Sequence, residues 1–338
     1  MALEPRRARR GGAVTTSELM QCIGTMARDG IDALVLGREA HARAVSDANR
    51  LYLSGTRAFA PGCVVIRQPA AVHLLANSNA GFEQFPHEQL YPITWNPERL
   101  FGALNAIPGF TTARRVGVDG MSPGMRALFA ALLPDAELVD ASPIFARMWP
   151  LPSPEKLAGV TQAAGIARAG LEAMAAELRD GARARVLRGV CAERFAASGV
   201  TTPAFEAVAA PIDGGTSTWL PPERLLGAGE RVTLRAGVLH QGWEASIART
   251  YVVGDPSIGQ PPPDGWEELL TTCRAGTPVG RLRDLDAVVY GVGRGVEPYD
   301  DTLTLEAGMV FAVELHRGGC LQQDVLHLTD ADAVVLTA

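Results

Sequence analysis

Two charged side chains stand in stretches of sequence that otherwise predict buried strands, and both could do chemistry. Glu314 lies in the apolar run Met309–Leu315, where an ionised carboxylate without a partner would be costly to bury. Arg235 lies in the predicted strand Arg231–His240, and the alternation of the strand puts it on the face opposite its apolar neighbours. A guanidinium can pair with a buried carboxylate, or it can hold an anionic group of a ligand. The residue types allow both interpretations of Arg235.

Two patterns that could hold a cofactor lack the context that such sites need. The glycine-rich segment 291–295 has neither the strand, loop and helix arrangement nor the Lys-Ser/Thr ending of a phosphate-binding loop. The five cysteines are odd in number, widely spaced and without a Cys-x-x-Cys pair, which is typical of reduced thiols rather than of disulfides or a zinc site. We therefore expect no cofactor.

The first part of the chain predicts an α/β domain, because helical periodicity alternates with short apolar runs. The predicted strands are Ala33–Leu36, Cys63–Ile66, Val72–Leu75, Val116–Val118 and Leu138–Val139, and the predicted helices begin at Ser17, Glu98 and Met125. Residues 1–14 are basic, glycine-rich and without periodicity, so we expect a disordered tail there. Three prolines between Pro150 and Pro154 mark a boundary, which predicts domains at 15–150 and 151–338.

The second part begins with the clearest helix of the chain. Ser153 and Pro154 form a typical helix start, and apolar residues at spacings of three and four continue to Leu178, before Gly181. A second helix is predicted at about 183–197. The predicted strands that follow are Arg231–His240, Ile247–Val253, Met309–Leu315, Val325–Thr329 and Ala333–Thr337. Helices followed by antiparallel-looking strands predict an α+β domain.

Composition excludes two classes of partner. The 338 residues carry a formal net charge of -6, so the chain lacks the basic excess that nucleic-acid binding requires. No apolar run approaches the roughly 20 residues of a membrane-spanning helix, and no secretory apolar segment follows the arginines near the N-terminus. We expect a cytoplasmic protein that binds neither nucleic acid nor a membrane.

Six blocks of sequence, in a fixed order, carry a resemblance to a known family. They are the segments 48–55, 152–156, 229–237, 246–250, 291–295 and 306–314. Together they resemble the family that includes creatinase, aminopeptidase P (prolidase) and methionine aminopeptidase, over about residues 16–338. The resemblance implies an α+β protein in which a pita-bread C-terminal domain follows an α/β creatinase-type N-terminal domain. It also implies a homodimer in which the first domain of one chain closes over the pocket of the other.

The peptidases of that family hold two metal ions with two aspartates, one histidine and two glutamates. The resemblance matches these ligands to Arg235, Ser246, Tyr290, Glu314 and Gln323 of this chain. Glu314 is the one ligand kept, and a guanidinium among the ligands repels the cations that they should bind. We therefore expect no metal and no metallopeptidase activity. We also expect Arg235 to lie within hydrogen-bonding reach of Glu314, because both side chains would enter the former metal cavity.

The family's catalytic histidine corresponds to Thr218, and a second pocket histidine corresponds to Glu297, so both general-base candidates are lost. Asp324 and His240 are expected around the same cavity. The candidate catalytic residues are Glu297, Glu314 and Tyr290. The candidate substrate-binding residues are Arg235, Thr218, Ser246, His240, Gln323 and Asp324.

Two functions remain open from the sequence. In the first, the chain is a metal-independent enzyme that does acid-base chemistry (hydrolysis, elimination or isomerisation) on a small polar, anionic metabolite. Glu297 or Glu314 would then act as acid or base, and Tyr290 as hydrogen-bond donor. In the second, the chain is non-catalytic and acts as a binding or scaffold protein, or as the silent partner of an active homologue. Glu297 is then a solvated loop acid, Tyr290 a packing residue and His240 an exposed turn residue. A polar cavity suits both functions.

Overall fold

A computed structural model describes residues 16–46, 62–76, 85–92, 94, 96–148, 152–200, 202–212, 216–240, 243–259, 262–292 and 298–338. The chain divides into two compact units between Met148 and Trp149. The tail predicted at 1–14, the block 48–55 and the candidate Glu297 lie outside the described residues.

The N-terminal unit contains a six-stranded mixed sheet with helices packed on it, which confirms the predicted α/β character. Its elements are α1 (Ser17–Arg28), β1 (Ala33–Leu36), α2 (Glu39–Ser46), β2 (Cys63–Ile66), β3 (Ala71–Leu75), a 3-10 turn (His87–Gln89), β4 (Leu90–Tyr91), α3 (Pro97–Asn105), β5 (Arg115–Asp119), α4 (Pro123–Leu132), β6 (Glu137–Asp140) and α5 (Ser142–Ala146). The strand order is β4-β3-β2-β1-β5-β6. Strand β1 pairs antiparallel with β2 and parallel with β5.

Local sequence explains why the elements of this unit form where they do. Strand β1 is apolar throughout because both of its faces are covered: Leu34 and Leu36 enter one hydrophobic cluster, and Ala33 and Val35 enter another. The first helix begins where the Thr16 hydroxyl accepts a hydrogen bond from the third backbone N–H after it, as expected for an N-cap.

The C-terminal unit contains a nine-stranded sheet in which every described strand pair is antiparallel. Its elements are α6 (Pro154–Ala176), α7 (Ala184–Ala197), β7 (Thr202–Ile212), β8 (Thr216–Trp219), β9 (Arg231–His240), β10 (Trp243–Val252), β11 (Asp255–Gly259), α8 (Trp266–Thr272), α9 (Val279–Arg283), β12 (Ala287–Gly291), β13 (Val310–Arg317), β14 (Cys320–Leu328) and β15 (Ala333–Val335). The main strand order is β12-β13-β14-β10-β9-β7-β8, with β11 beside β10 and β15 beside β14.

Several boundaries differ from the sequence predictions, and each difference has a physical reason. Strands β7, β8, β11 and β12 were not predicted, because short or mixed runs give little periodicity. Strand β14 begins at Cys320 rather than at Val325, since the polar residues at its start are bonded inside the sheet. Helix α6 ends at Ala176, earlier than predicted. Gly181 lies in the following turn at a φ of 74°, where its N–H donates to the Leu226 carbonyl.

Helix α6 covers one face of β9 and β10, and α7 packs beside it against α6 and β7. Val232, Leu234, Ala236 and Val238 of β9 share a hydrophobic cluster with the inward residues of both helices. Two glycines of α6 allow aromatic side chains to pack closely against the helix. A Cβ on Gly159 would overlap the indole of Trp243, and one on Gly170 would overlap the Phe195 ring.

Among the described residues, no helix is long and apolar enough to cross a membrane. The five cysteines all lie in described segments and form no disulfide, and four of them are buried.

We predict that Gly159→Ala destabilises the protein by about 1 to 3 kcal/mol, because the new methyl group needs the space of the indole. The matched control is Gly165→Ala in the same helix, where nothing lies within 4 Å of an added Cβ. The control should stabilise the helix by up to about 1 kcal/mol through its better helix propensity. Chemical unfolding of both variants measures the difference. Equal free energies of unfolding would contradict the predicted packing of Trp243 on the helix.

Candidate functional site

The register of four neighbouring strands brings Arg235, Gln323 and Glu314 into one row across the sheet. Arg235 of β9 is paired with Ala248 of β10, Ala248 with Gln323 of β14, and Gln323 with Glu314 of β13. Paired residues point to the same face of a sheet. The small side chain of Ala248 leaves room above it, so the long side chain of Arg235 can reach toward Glu314 across the row.

These residues line an open pocket of about 170 Å³. Its walls are Arg235, Glu244, Ala245, Ser246, Tyr290, Gly291, Val292, Ala312, Glu314 and Gln323. All five positions that the resemblance matched to metal ligands are in this set. They come from β9, β10, β12, β13 and β14, so the fold collects in one place residues that are up to 88 positions apart in the sequence.

The predicted contact between Arg235 and Glu314 is confirmed. Arg235 Nη2 donates to Glu314 Oε2 at 2.7 Å, with both side chains about one-fifth exposed (20% and 17%). Tyr290 lies beside Glu314 in the pocket wall. Burial, followed by the charge of Glu314, raises the pKa of the Tyr290 phenol above its ordinary value of 10.0, although Arg235 opposes the shift. Tyr290 therefore keeps its proton at neutral pH and acts as a hydrogen-bond donor.

Gln323 and Ser246 form a second polar contact in the pocket. Gln323 Nε2 donates to Ser246 Oγ at 2.9 Å. The other amide atom, Gln323 Oε1, is buried and has no hydrogen-bond partner among the described residues, and the same holds for Arg235 Nε. A buried polar atom without a partner costs about 1 to 3 kcal/mol. Both atoms are closed off from solvent, so they do not belong to the accessible surface of the pocket.

Sequence reasoning missed Glu244, which brings a second carboxylate to the pocket wall. Glu244 lies two residues before Ser246 on β10, so strand alternation puts both side chains on the same face. The sequence predicts that this strand begins only at Ile247, so Glu244 falls outside the predicted strand and alternation could not be applied to it. With Glu314 and Arg235, the described wall carries two carboxylates and one guanidinium.

Asp324 is not in the pocket, which corrects the prediction that it binds substrate there. It neighbours Gln323 on β14 and so projects from the opposite face. There it accepts hydrogen bonds from Arg249 Nη2 at 2.6 Å, from Thr337 at 2.6 Å and from Gln322 at 2.8 Å. The side chain is 1% exposed, and the ion pair with Arg249 is structural.

His240 is also not in the pocket wall. It stands five residues after Arg235 on β9, so alternation puts it on the opposite face, the one that α6 and α7 cover. It is buried rather than exposed, and neither ring nitrogen has a partner among the described residues. Both the substrate-binding role and the exposed-turn interpretation are therefore wrong for this residue.

Thr218 and Glu297 remain without structural evidence for a role in the site. Thr218 lies on β8 opposite Ala210 of β7, and its side chain lies outside the described part of the structure. Glu297 lies outside the described residues, although the next residue, Pro298, pairs with Tyr290.

No group of three or more His, Cys, Asp or Glu side chains within the described segments is arranged to hold a metal ion. In the pocket, the carboxylate of Glu314 is already hydrogen-bonded to the guanidinium of Arg235. What the arrangement offers chemically is hydrogen bonding and proton transfer among Tyr290, Glu314 and a bound molecule.

Comparisons with known proteins agree with this architecture. The family model described as Creatinase/Prolidase N-terminal domain matches residues 19–148, and the model described as Metallopeptidase family M24 matches residues 158–285. A search of curated protein sequences found no match.

Solved structures show the same fold over nearly the whole chain. The prolidase from Pyrococcus furiosus is 17% identical with a TM-score of 0.66, and the match covers 95% of this chain and 99% of that one. A dipeptidase from Pyrococcus horikoshii is 19% identical with a TM-score of 0.70, covering 95% and 98%. The Xaa-Pro dipeptidase from Bacillus anthracis is 16% identical with a TM-score of 0.67, covering 95% and 96%. The chain therefore belongs to the family of creatinase and aminopeptidase P (prolidase), with a creatinase-type N-terminal domain followed by an M24-type domain of the pita-bread fold.

Proposed function

We propose that this chain uses its pocket to hold a small polar molecule without a metal ion, and that it is not a metallopeptidase. The observation that carries the proposal is the guanidinium of Arg235, which lies in an open pocket at 2.7 Å from its carboxylate partner. The positive charge at the site is then that of a protein side chain rather than that of a metal ion.

The pocket side chains do not fit a pair of divalent cations. Such cations need several carboxylate, imidazole or carbonyl donors that converge on them. Of the five positions matched to metal ligands, Arg235 is a cation, and Ser246, Tyr290 and Gln323 are uncharged. Glu314 is the single carboxylate of the five, and Arg235 neutralises it. In the proposed chemistry, therefore, no metal ion takes part.

The ion pair does not fill the site, which favours a bound molecule over a purely structural role. A pocket of about 170 Å³ stays open beside the pair. It is smaller than the roughly 300–1,000 Å³ of sites that hold drug-sized ligands, so a small metabolite suits it better than a peptide.

As an enzyme, the chain would do acid-base chemistry on that molecule, by hydrolysis, elimination or isomerisation. Protonated Tyr290 would donate to an oxygen that develops negative charge, and Glu314 would accept a proton or hold the phenol in place. Glu297 remains a candidate acid or base from its sequence position. The small polar, anionic metabolite expected from the sequence stays part of the proposal.

The alternative is a non-catalytic descendant that binds a molecule, acts as a scaffold or partners an active homologue. One observation favours it: Arg235 donates a hydrogen bond to Glu314, so this carboxylate is already used as an acceptor before a substrate arrives. In addition, no histidine lines the described part of the pocket. A cytoplasmic location and a homodimer stay part of the proposal, on composition and family resemblance alone.

We predict that the purified protein contains no stoichiometric transition metal and does not cleave Xaa-Pro peptides, even with added manganese or cobalt. Elemental analysis and a peptidase assay test this. The matched control restores all five ligand types with Arg235→Asp, Ser246→Asp, Tyr290→His and Gln323→Glu. This variant should gain metal affinity measurable by calorimetry. About two ions per wild-type chain, lost in Glu314→Ala, would overturn the proposal.

We predict that Arg235→Ala and Glu314→Ala each destabilise the protein by about 1 to 3 kcal/mol, below the range for fully buried pairs because these side chains are partly exposed. The double variant should lose less than the sum of the two, with a coupling of about 1 kcal/mol or more. The surface pair of Arg283 and Asp301 serves as the control, with a coupling of at most about 1 kcal/mol. Chemical unfolding measures the free energy of unfolding of every variant in both double-mutant cycles. If the effects of Arg235→Ala and Glu314→Ala simply add, the two side chains are not energetically coupled and the prediction is contradicted.

We predict that Tyr290→Phe and Glu314→Gln slow turnover of a metabolite that binds the pocket by about 100-fold, the usual scale of acid-base contributions. Candidate metabolites come from a thermal-shift screen, and turnover is followed by mass spectrometry. Glu297→Gln is measured in the same way. A metabolite that binds tightly but emerges unchanged from the wild-type protein would support the binding protein over the enzyme.

A further inference from the structure

The ion pair of the pocket is joined by a single hydrogen bond, which leaves one outer atom of each partner unused. Arg235 Nη2 donates to Glu314 Oε2 at 2.7 Å. Arg235 Nη1 and Glu314 Oε1 make no hydrogen bond with the described residues, and neither belongs to the buried atoms that lack a partner, so both are accessible to solvent. Each is bonded to the same carbon as the atom that makes the contact, so the open donor and the open acceptor lie within about 7 Å of each other.

The second guanidinium-carboxylate pair of these strands, on the other face of the sheet, has no such open atoms on its outer arms. Arg249 Nη1 donates to the backbone carbonyls of Ala248 and Gln323 at 2.8 Å each. Arg249 Nη2 and Thr337 Oγ1 both donate to Asp324 at 2.6 Å. A purely structural pair in this sheet is therefore saturated by the protein, whereas the pair in the pocket keeps a donor and an acceptor for a ligand.

Two hydroxyl groups add donors to the same pocket wall. Ser246 Oγ accepts from Gln323 Nε2 at 2.9 Å, so its own proton is available for a different acceptor. Ser246 is paired with Gly237, two residues from Arg235 on β9, which makes Ser246 and Arg235 diagonal neighbours about 7 to 8 Å apart on one face. The phenol of Tyr290 lies beside Glu314.

We propose that the pocket binds a small 2-hydroxycarboxylate. The carboxylate of the ligand accepts from Arg235 Nη1 and from the hydroxyl of Ser246, and the hydroxyl on its second carbon donates to Glu314 Oε1. An ionised carboxylate fits several donors because it only accepts, whereas a carboxamide would bring two N–H donors of its own. The two groups of the ligand lie on adjacent carbons, so one small molecule can reach both halves of the ion pair. This inference rests on the proposed function, since it names the class of metabolite that the metal-independent pocket holds.

The test compares four probes with the same three-carbon skeleton: lactate, propanoate, lactamide and alanine. Their dissociation constants are measured on the wild-type protein by ligand-observed NMR, with the chiral probes as racemates. Lactate should bind about threefold to tenfold more tightly than propanoate, which lacks the hydroxyl and so one hydrogen bond. It should bind about tenfold or more tightly than lactamide, which lacks the charge that strengthens the bond to the guanidinium. Alanine should also bind more weakly, because its ammonium approaches the same guanidinium.

Two variants test the protein groups. Ser246→Ala should weaken binding of lactate by about threefold to tenfold, the worth of one hydrogen bond. The double variant Arg235→Gln with Glu314→Gln removes both charges together, so no buried charge is left unpaired, and it should bind lactate no more tightly than lactamide. Arg283→Lys is the control, because it alters an exposed arginine whose carboxylate partner is Asp301, and it should leave lactate binding unchanged. Thermal unfolding checks that all three proteins are folded.

Binding of propanoate, lactamide or alanine as tight as that of lactate would overturn the assignment of the class, while the metal-independent pocket would stand. Absence of binding by all four probes would also overturn it. Unchanged lactate affinity in Ser246→Ala, or a preference for lactate that survives in the double variant, would place the probe elsewhere and overturn the assignment of the groups. Uptake of metal by the wild type would instead overturn the proposed function, and elemental analysis of the same samples detects that case.

Discussion

The burial of Glu314 in the middle of an antiparallel sheet is the constraint on which the pocket depends. A carboxylate in that position needs a partner of opposite charge or several hydrogen-bond donors. Arg235 supplies the charge from three strands away, through a hydrogen bond of 2.7 Å. The contact is possible only if β9, β10, β14 and β13 keep their register, since a slip by one residue would turn either side chain to the other face.

The same four strands carry a second guanidinium-carboxylate pair on their other face. Arg249 holds Asp324 there, and Thr337 adds a hydrogen bond to the same carboxylate. Adjacent residues of β14, Gln323 and Asp324, thus belong to two different polar clusters, one in the pocket and one structural. The sheet accommodates charge on both faces because each carboxylate is paired and hydrogen-bonded.

Under the proposed function, a guanidinium takes over the electrostatic role that metal ions have in the M24 metallopeptidases of this family. A guanidinium differs from a metal ion in what it can do, because it donates directed hydrogen bonds but offers no open coordination position. The pocket that results is suited to recognising a molecule by hydrogen bonding. Its open volume distinguishes it from a site that has simply been filled.

The sequence by itself determined the fold class, because strand alternation, helix periodicity and helix caps are local properties that can be read residue by residue. Strand alternation also put Arg235 on one face of β9, and the family resemblance placed it near Glu314. Those two inferences were enough to predict the ion pair. Short strands such as β8 were not predictable, since so few residues give no clear period.

Tertiary structure alone decided what else lines the pocket. Alternation within a strand separates Asp324 from Gln323 and His240 from Arg235. The register between strands distant in the sequence then selects which side chains share the pocket wall, Glu244 among them. The unsatisfied atoms of Arg235 and Gln323 likewise follow from which neighbours occupy the rest of each side chain. A sequence specifies the donors and acceptors that a residue carries, but only the folded chain determines which of them remain for a ligand.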